Sequence, residues 1–193
     1  GGLCYIRNDL PGITFEGFVE ISALEIASGK TRILTKLAVT EKVLPAGPGS
    51  TYYFTVNLTT VGRSTHILTA LCYAPSGAPS GLAAVTAVGA AGVEGVYSFN
   101  EIPLAPPSGL VLPVAVVTAS VATSANADGS VDVNVKTTHT ALYVMLTTLA
   151  NGRFSDNAFA LTGSAVVKFI PFGKLNMITL IKSLRVEHLQ QRL

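Results

Sequence analysis

The stretch Ser130-Val131-Asp132-Val133-Asn134-Val135-Lys136 alternates apolar and polar residues without a break. Successive side chains of an extended strand point to opposite faces, so the three valines fall on one side and Asp132, Asn134 and Lys136 on the other. A helix would scatter the valines around its circumference. The same period of two runs through Tyr53-Phe54-Thr55-Val56-Asn57-Leu58-Thr59, where Phe54, Val56 and Leu58 share a face, and through Leu184-Arg185-Val186-Glu187. Further strand candidates are residues 3–7, 15–24, 32–40, 66–73, 113–123, 140–149 and 165–170. Turn residues separate them, among them Leu10-Pro11-Gly12, Ser28-Gly29, Pro45-Ala46-Gly47-Pro48-Gly49, Asp128-Gly129, Asn151-Gly152 and Pro171-Phe172-Gly173. Many short strands at this spacing predict an all-β chain of antiparallel β-sandwiches. No long helix is indicated. The end from Ile178 to Leu193 has room for a short one, although 183–189 alternates better as a strand.

A chain of 193 residues suits one large domain or two small ones of roughly 90–110 residues each. The pattern changes in the middle. Residues 75–95 form an Ala, Gly and Ser-rich run that reads as a loop. From Ile102 to Pro113 the chain carries four prolines, which lack the ladder donor and stiffen the backbone, so this stretch reads as an extended linker. The boundary is placed near residue 110, giving two tandem sandwiches, 1–110 and 111–193.

Charged residues make up 12% of the chain, about half the ~25% usual for a soluble domain, while hydrophobic residues reach 49%. That balance excludes disorder, which needs weak hydrophobicity and high net charge. The formal charge of +2 comes from scattered cations, not the clusters that nucleic-acid binding requires. The most apolar runs, 82–93 and 110–122, fall short of the ~20 residues of a membrane span. No charged start, apolar core and cleavage site is visible, and the opening Gly1-Gly2-Leu3-Cys4-Tyr5 enters a strand directly, as a mature or excised piece would.

Few residues carry chemistry. Cys4 and Cys72 could form one disulfide or remain two buried thiols. His66, His139 and His188 are far apart in sequence and make no metal set. His188 shares the parity of Leu184 and Val186, so a satisfied, semi-buried imidazole is expected. No strand-borne Gly-x-Ser-x-Gly elbow and no glycine-rich turn opening a helix is present, so neither nucleophilic catalysis nor a cofactor is expected. Asn57-Leu58-Thr59 is an N-glycosylation sequon, compatible with a secreted protein. For sugar binding, the chain has no Trp and offers Tyr52, Tyr53, Tyr73, Tyr97, Tyr143, Phe154 and Phe159. Tyr53 and Tyr143 have outward parity and are the candidate platform residues.

Three segments carry a family resemblance. Gly152-Arg153-Phe154-Ser155-Asp156-Asn157-Ala158-Phe159-Ala160-Leu161, followed by Ser183-Leu184-Arg185-Val186-Glu187-His188-Leu189, resembles the final domain of family 2 glycoside hydrolases, above all β-mannosidases and the related exo-glucosaminidases. Cys4-Tyr5-Ile6-Arg7-Asn8-Asp9-Leu10 is similar to the strand that opens the preceding domain. Glu101 through Pro113 is similar to the junction between the two.

The resemblance implies that both sandwiches are immunoglobulin-like and that the chain is an accessory region, its partner a catalytic barrel on other residues. In such enzymes that barrel carries two glutamates, which retaining hydrolysis holds ~5–5.5 Å apart. This chain has no βα alternation and too few residues for a barrel of about 250. Asn100-Glu101 mimics the acid/base motif but adjoins the proline-rich stretch, so no catalytic residue is assigned. The turn residues Arg153 and Asp156 could pair with each other, or border a substrate cleft in a longer relative. A weakly charged chain of this kind is expected to keep an apolar face for a partner domain and, freed from it, to self-associate. The alternatives are a free-standing carbohydrate-binding module and a secreted structural or adhesive protein.

Overall fold

The structure, a computed structural model, describes residues 1–9, 12, 14–74, 87–90 and 92–193. Most of the 75–95 run, and part of the Leu10-Pro11-Gly12 turn, lie outside the described residues. The chain folds as two units: Gly1–Glu25, Lys30–Val85 and Gly92–Leu104 make up the first, and Ile26–Gly29, Thr86–Ala91 and Ala105–Leu193 the second.

Unit 1 contains β1 (Gly2–Asn8), β2 (Gly17–Glu25), β3 (Thr31–Val39), β4 (Ser50–Val56), β5 (His66–Tyr73) and β6 (Val96–Pro103). One sheet has the order β3-β2-β5-β6 and the other pairs β1 with β4, all antiparallel. Val19 and Ile21 of β2, Val39 of β3 and Val56 of β4 meet Phe15 and Leu44 in the core. Cys4 and Ile6 of β1 pack onto it from one sheet and Ala70 and Cys72 of β5 from the other.

β6 corrects the reading of the proline-rich stretch. Ile102 and Pro103 are its last two residues, paired with Leu68 and Ile67 of β5, and no linker begins there. Proline is tolerated because β6 is the edge of its sheet and Pro103 is its final residue. Further on, Pro107–Gly109 forms a single 3-10 turn. Between β5 and β6, Ala74 N–H donates to the Gly95 carbonyl, and Gly95 adopts φ +65°. A Cβ there would collide with the Ala74 carbonyl oxygen, so both conformation and space require glycine.

Unit 2 contains β7 (Val117–Val121), β8 (Val131–Thr137), β9 (Ala141–Thr147), β10 (Gly152–Phe154), β11 (Phe159–Leu161), β12 (Ser164–Pro171), α1 (Met177–Ser183) and β13 (Arg185–Glu187). The sheets run β10-β12-β8-β7 and β11-β9-β13, and every ladder is antiparallel. Val131, Val133 and Val135 are fully buried, as the alternation predicts. They face Val144, Leu146, Phe159 and Leu161 of the other sheet across one core that also holds Val167 and Phe169.

The short helix near the C-terminus precedes the strand. Asn176 caps α1 by accepting from Thr179 N–H at 3.0 Å, and Leu180 is buried with Met177 and Leu184 packed beside it, one helical face at i, i+3, i+7. Ser183 closes the last turn on the Thr179 carbonyl, and the chain then extends into β13.

Candidate functional site

The Phe154-Ser155-Asp156-Asn157 stretch carries the chain from β10 in one sheet to β11 in the other. Phe154 sets its ring edge-on to Phe169, with centroids 5.4 Å apart. Ser155 N–H donates to the Lys168 carbonyl at 2.7 Å, and its hydroxyl accepts from Lys168 N–H at 3.0 Å. Asp156 accepts from Val88 N–H at 2.7 Å with one carboxylate oxygen and from Asn157 N–H at 2.8 Å with the other. Asn157 takes the place of a strand residue: its Oδ1 accepts from Leu146 N–H at 2.7 Å, and its Nδ2 donates to the Leu146 carbonyl at 3.0 Å. Ser155, Asp156 and Asn157 thus each hold backbone in place. Among the described residues the Arg153–Asp156 ion pair does not form, and Arg153 points to solvent.

Tyr143 lies in a bulge. Phe159 pairs with Val144 and Leu161 with Ala141, so β9 spends one residue more than β11, and Tyr143 takes up the slack at φ +51°. Its side chain is half-buried; Tyr143, Arg153 and Asp156 belong to unit 2, and Tyr53 belongs to unit 1. The amide of Leu142, displaced by the bulge, donates to Gln190 Oε1.

Gln190 also decides the state of His188. Its Nε2 donates to the Thr140 carbonyl at 2.8 Å, which turns Oε1 toward Leu142 N–H and His188 Nδ1. Nδ1 therefore donates, and Nε2 has no hydrogen-bond partner among the described residues. His188 is only 3% exposed, so it is fully buried and half satisfied, where a semi-buried, satisfied ring was expected. His188 and Gln190 line a groove of about 450 Å³ together with Pro107, Leu110, Leu112 and Pro113 among others.

The outward face of β1 and β4 is different in character. Tyr5 and Tyr53 are directly opposite each other in the ladder, both more than half exposed, with ring centroids 6.0 Å apart and planes tilted by 46°. Leu3 is opposite Thr55 on one side of this pair, and Arg7 is opposite Thr51 on the other. Arg7 Nε donates to Asp9 Oδ1 at 2.6 Å. Asp9 holds the guanidinium above its usual pKa, with small further contributions from Tyr5 and Tyr53. The remaining tyrosines are engaged elsewhere: Tyr97 is edge-on to Phe15, Tyr73 is beside Phe18 and under Lys36, and Tyr52 packs on the core. Tyr5, which the sequence reading does not name among its candidate platform residues, shares this exposed face with Tyr53. Its exposure follows the alternation of β1, and the register of the ladder sets it beside Tyr53.

Cys4 and Cys72 are both free thiols in the structure. Burial raises the pKa of each, and that of Cys72 to about 12, which keeps it protonated and unreactive at neutral pH. Asn57 is exposed just after β4 and accepts from Thr59 N–H and Thr59 Oγ1. Asn100 and Glu101 lie on β6, opposite Ala70 and Thr69, within a sheet. Among the described residues no cluster of three metal-ligating side chains occurs, and no helix is long and apolar enough to cross a membrane.

Residues 112–192 match the Ig_mannosidase family model, an Ig-fold domain. No curated protein matches the chain. Among solved structures, the crystal structure of β-D-mannosidase from Dictyoglomus thermophilum is similar, with a TM-score of 0.55 and 19% identity over 90% of this chain. The chain spans 18% of that protein's length. At this identity the likeness speaks to fold, and it agrees with the antiparallel sandwiches described above. The C-terminal segment is thus similar to the immunoglobulin-like domain that this family model describes.

Proposed function

We propose that the chain is a non-catalytic accessory region of a β-mannosidase-like glycoside hydrolase, with residues 1–110 and 111–193 packing against or bordering a catalytic barrel on other residues of a longer protein. The observation that carries this reading is the family match over 112–192. The Phe154–Asn157 motif within that segment supports it, because its hydrogen bonds build a crossover between sheets and leave no pair of carboxylates for hydrolysis. Exposed apolar side chains such as Leu149 and Val114, each more than four-fifths exposed, suit a chain that meets a partner domain or, alone, another copy of itself. The parent is read as a retaining enzyme, and the exposed sequon at Asn57 supports a secreted one.

The test is intact mass and peptide mapping of the native protein from its source, beside an assay with an aryl β-mannoside. A larger polypeptide that carries these peptides and hydrolyses the substrate, while the 20.0 kDa chain alone is inert, is the expected result. A native species of 20.0 kDa alone would overturn the reading. Tyr5 and Tyr53 favour carbohydrate binding as a second reading, because two exposed rings side by side are what a sugar-binding strand pair presents.

A further inference from the structure

We infer that the outward face of β1 and β4 is a binding site for a neutral pyranoside, with Tyr5 and Tyr53 as its floor and Arg7, Asp9 and Thr51 as its polar rim. The floor follows from the register: Tyr5 and Tyr53 are Cα partners, more than half exposed, with centroids 6.0 Å apart. Two rings tilted by 46° make a shallow trough that can take the apolar C–H face of one or two sugar rings. Tyrosine suits this role because its rigid, amphipathic ring offers area at small entropic cost and a hydroxyl at its tip.

The rim selects the class of ligand. Arg7 and Thr51 are the next cross-strand pair on the same face, and Asp9 holds Arg7 through Nε alone. The terminal guanidinium nitrogens and the second carboxylate oxygen make no bond to one another in this pair, so donors and acceptors stand together at one end of the trough. Their charges cancel within the ion pair, which disfavours an anionic or cationic ligand and suits vicinal hydroxyls that both donate and accept. Leu3 and Thr55 extend the floor at the other end with no charge at all. A protein partner would leave the Arg7–Asp9 pair covered and its hydrogen bonds incomplete. This site does not depend on the accessory reading, since it is tested on the 193-residue chain itself.

The experiment is titration of the chain with methyl β-D-mannopyranoside, methyl β-D-glucopyranoside and a β-mannan tetrasaccharide, followed by calorimetry and by amide shifts in two-dimensional NMR. Binding in the millimolar to ten-micromolar range, about 4 to 7 kcal/mol, is expected for at least one sugar. The shifts should be confined to β1, β4 and residue 9. Tyr5→Ala and Tyr53→Ala should each weaken binding at least tenfold, and Tyr53→Phe should weaken it less. Arg7→Gln should reduce affinity without abolishing it. All three positions are at the surface, and an unchanged thermal midpoint confirms that the variants fold. Absence of binding to all three sugars overturns the proposal, whatever the native mass shows. So does binding that survives the double Tyr5→Ala, Tyr53→Ala variant, or shifts that fall elsewhere, in the groove beside His188 for example.

Discussion

The two units solve the same packing problem with different clarity. In unit 2 the inward strand positions are sealed: Val131, Val133, Val135, Val144, Val167 and Phe169 have no exposed surface, and β8 separates valines from polar residues without exception. In unit 1 the outward face of β1 carries apolar side chains as well. Leu3 and Tyr5 of β1 are at the surface while Cys4 and Ile6 point inward. A sheet with one dry and one wet face needs polar residues only on the wet face, and unit 1 departs from that rule at the Tyr5–Tyr53 pair. The difference teaches where to look for function. Unit 2 spends its unusual residues, Asp156, Asn157 and Gln190, on its own backbone, whereas unit 1 presents its unusual residues to solvent.

The contrast can be broken at the cores. Phe169→Ala removes a fully buried ring that packs on Phe154, and a loss of about 3–5 kcal/mol is expected. Phe15→Ala in unit 1 removes a ring 8% exposed and edge-on to Tyr97, so its cost should sit at or below the lower end of that range, about 3 kcal/mol. Urea unfolding followed by circular dichroism measures both. Equal or reversed costs would refute the claim that unit 2 is the better sealed.

Asn157→Ala tests the crossover. It strands the N–H and carbonyl of buried Leu146, and a loss of roughly 2–4 kcal/mol is expected, with faster hydrogen exchange at Leu146. A change under about 1 kcal/mol would mean that water replaces the amide and that the motif is not structural. Gly95→Ala makes the corresponding test in unit 1. Positive φ and the Ala74 carbonyl should cost about 1–3 kcal/mol by the same measurement, and a neutral result would show that this turn adapts.

Two titrations sharpen the comparison with smaller effects. Cys72 should resist iodoacetamide at pH 8 in the native chain and react fully in urea, because burial holds it near 12. Rapid native labelling, or a mass 2 Da lower that reduction restores, would show the thiol to be accessible or bridged to Cys4. In unit 2 the Ser130 hydroxyl and N–H, with Lys168, lower Asp128 from 3.8 to about 2. A carboxylate depressed on folding stabilises above its unfolded pKa, and that contribution is lost as pH falls from about 4 toward 2. Asp128→Asn should therefore flatten the fall in thermal midpoint across that window. Because the group is solvent-exposed the effect is small, and an unchanged slope would show that solvent screens it completely.

Much of the architecture is legible in the residues. The strands at 3–7, 66–73 and 131–136 appear where alternation and turn residues predict them, because period-two patterning is a local consequence of backbone geometry. β6 escapes this reading because Glu101 occupies an inward-parity position and two prolines follow closely, so its apolar pattern is interrupted where pairing with β5 sustains it. The helix at Met177–Ser183 is two turns long, too short for its period to stand out. Of the candidate site, Tyr53 was legible from its parity; Tyr5 was not, since only the cross-strand register brings the two rings together.

By itself, then, the sequence determined the strand class, the all-β architecture and which face of β8 would be buried, since each depends on neighbours within a few residues. The tertiary structure alone decided that Tyr5 meets Tyr53, that Asn157 completes the Leu146 backbone pairing and that Gln190 sets the tautomer of His188. Those partners are 48, 11 and 2 residues apart. Even the nearest pair needed Thr140 and Leu142, about fifty residues upstream, to orient the amide. Register, bulges and long-range hydrogen bonds are properties of how strands meet, and no local period encodes them.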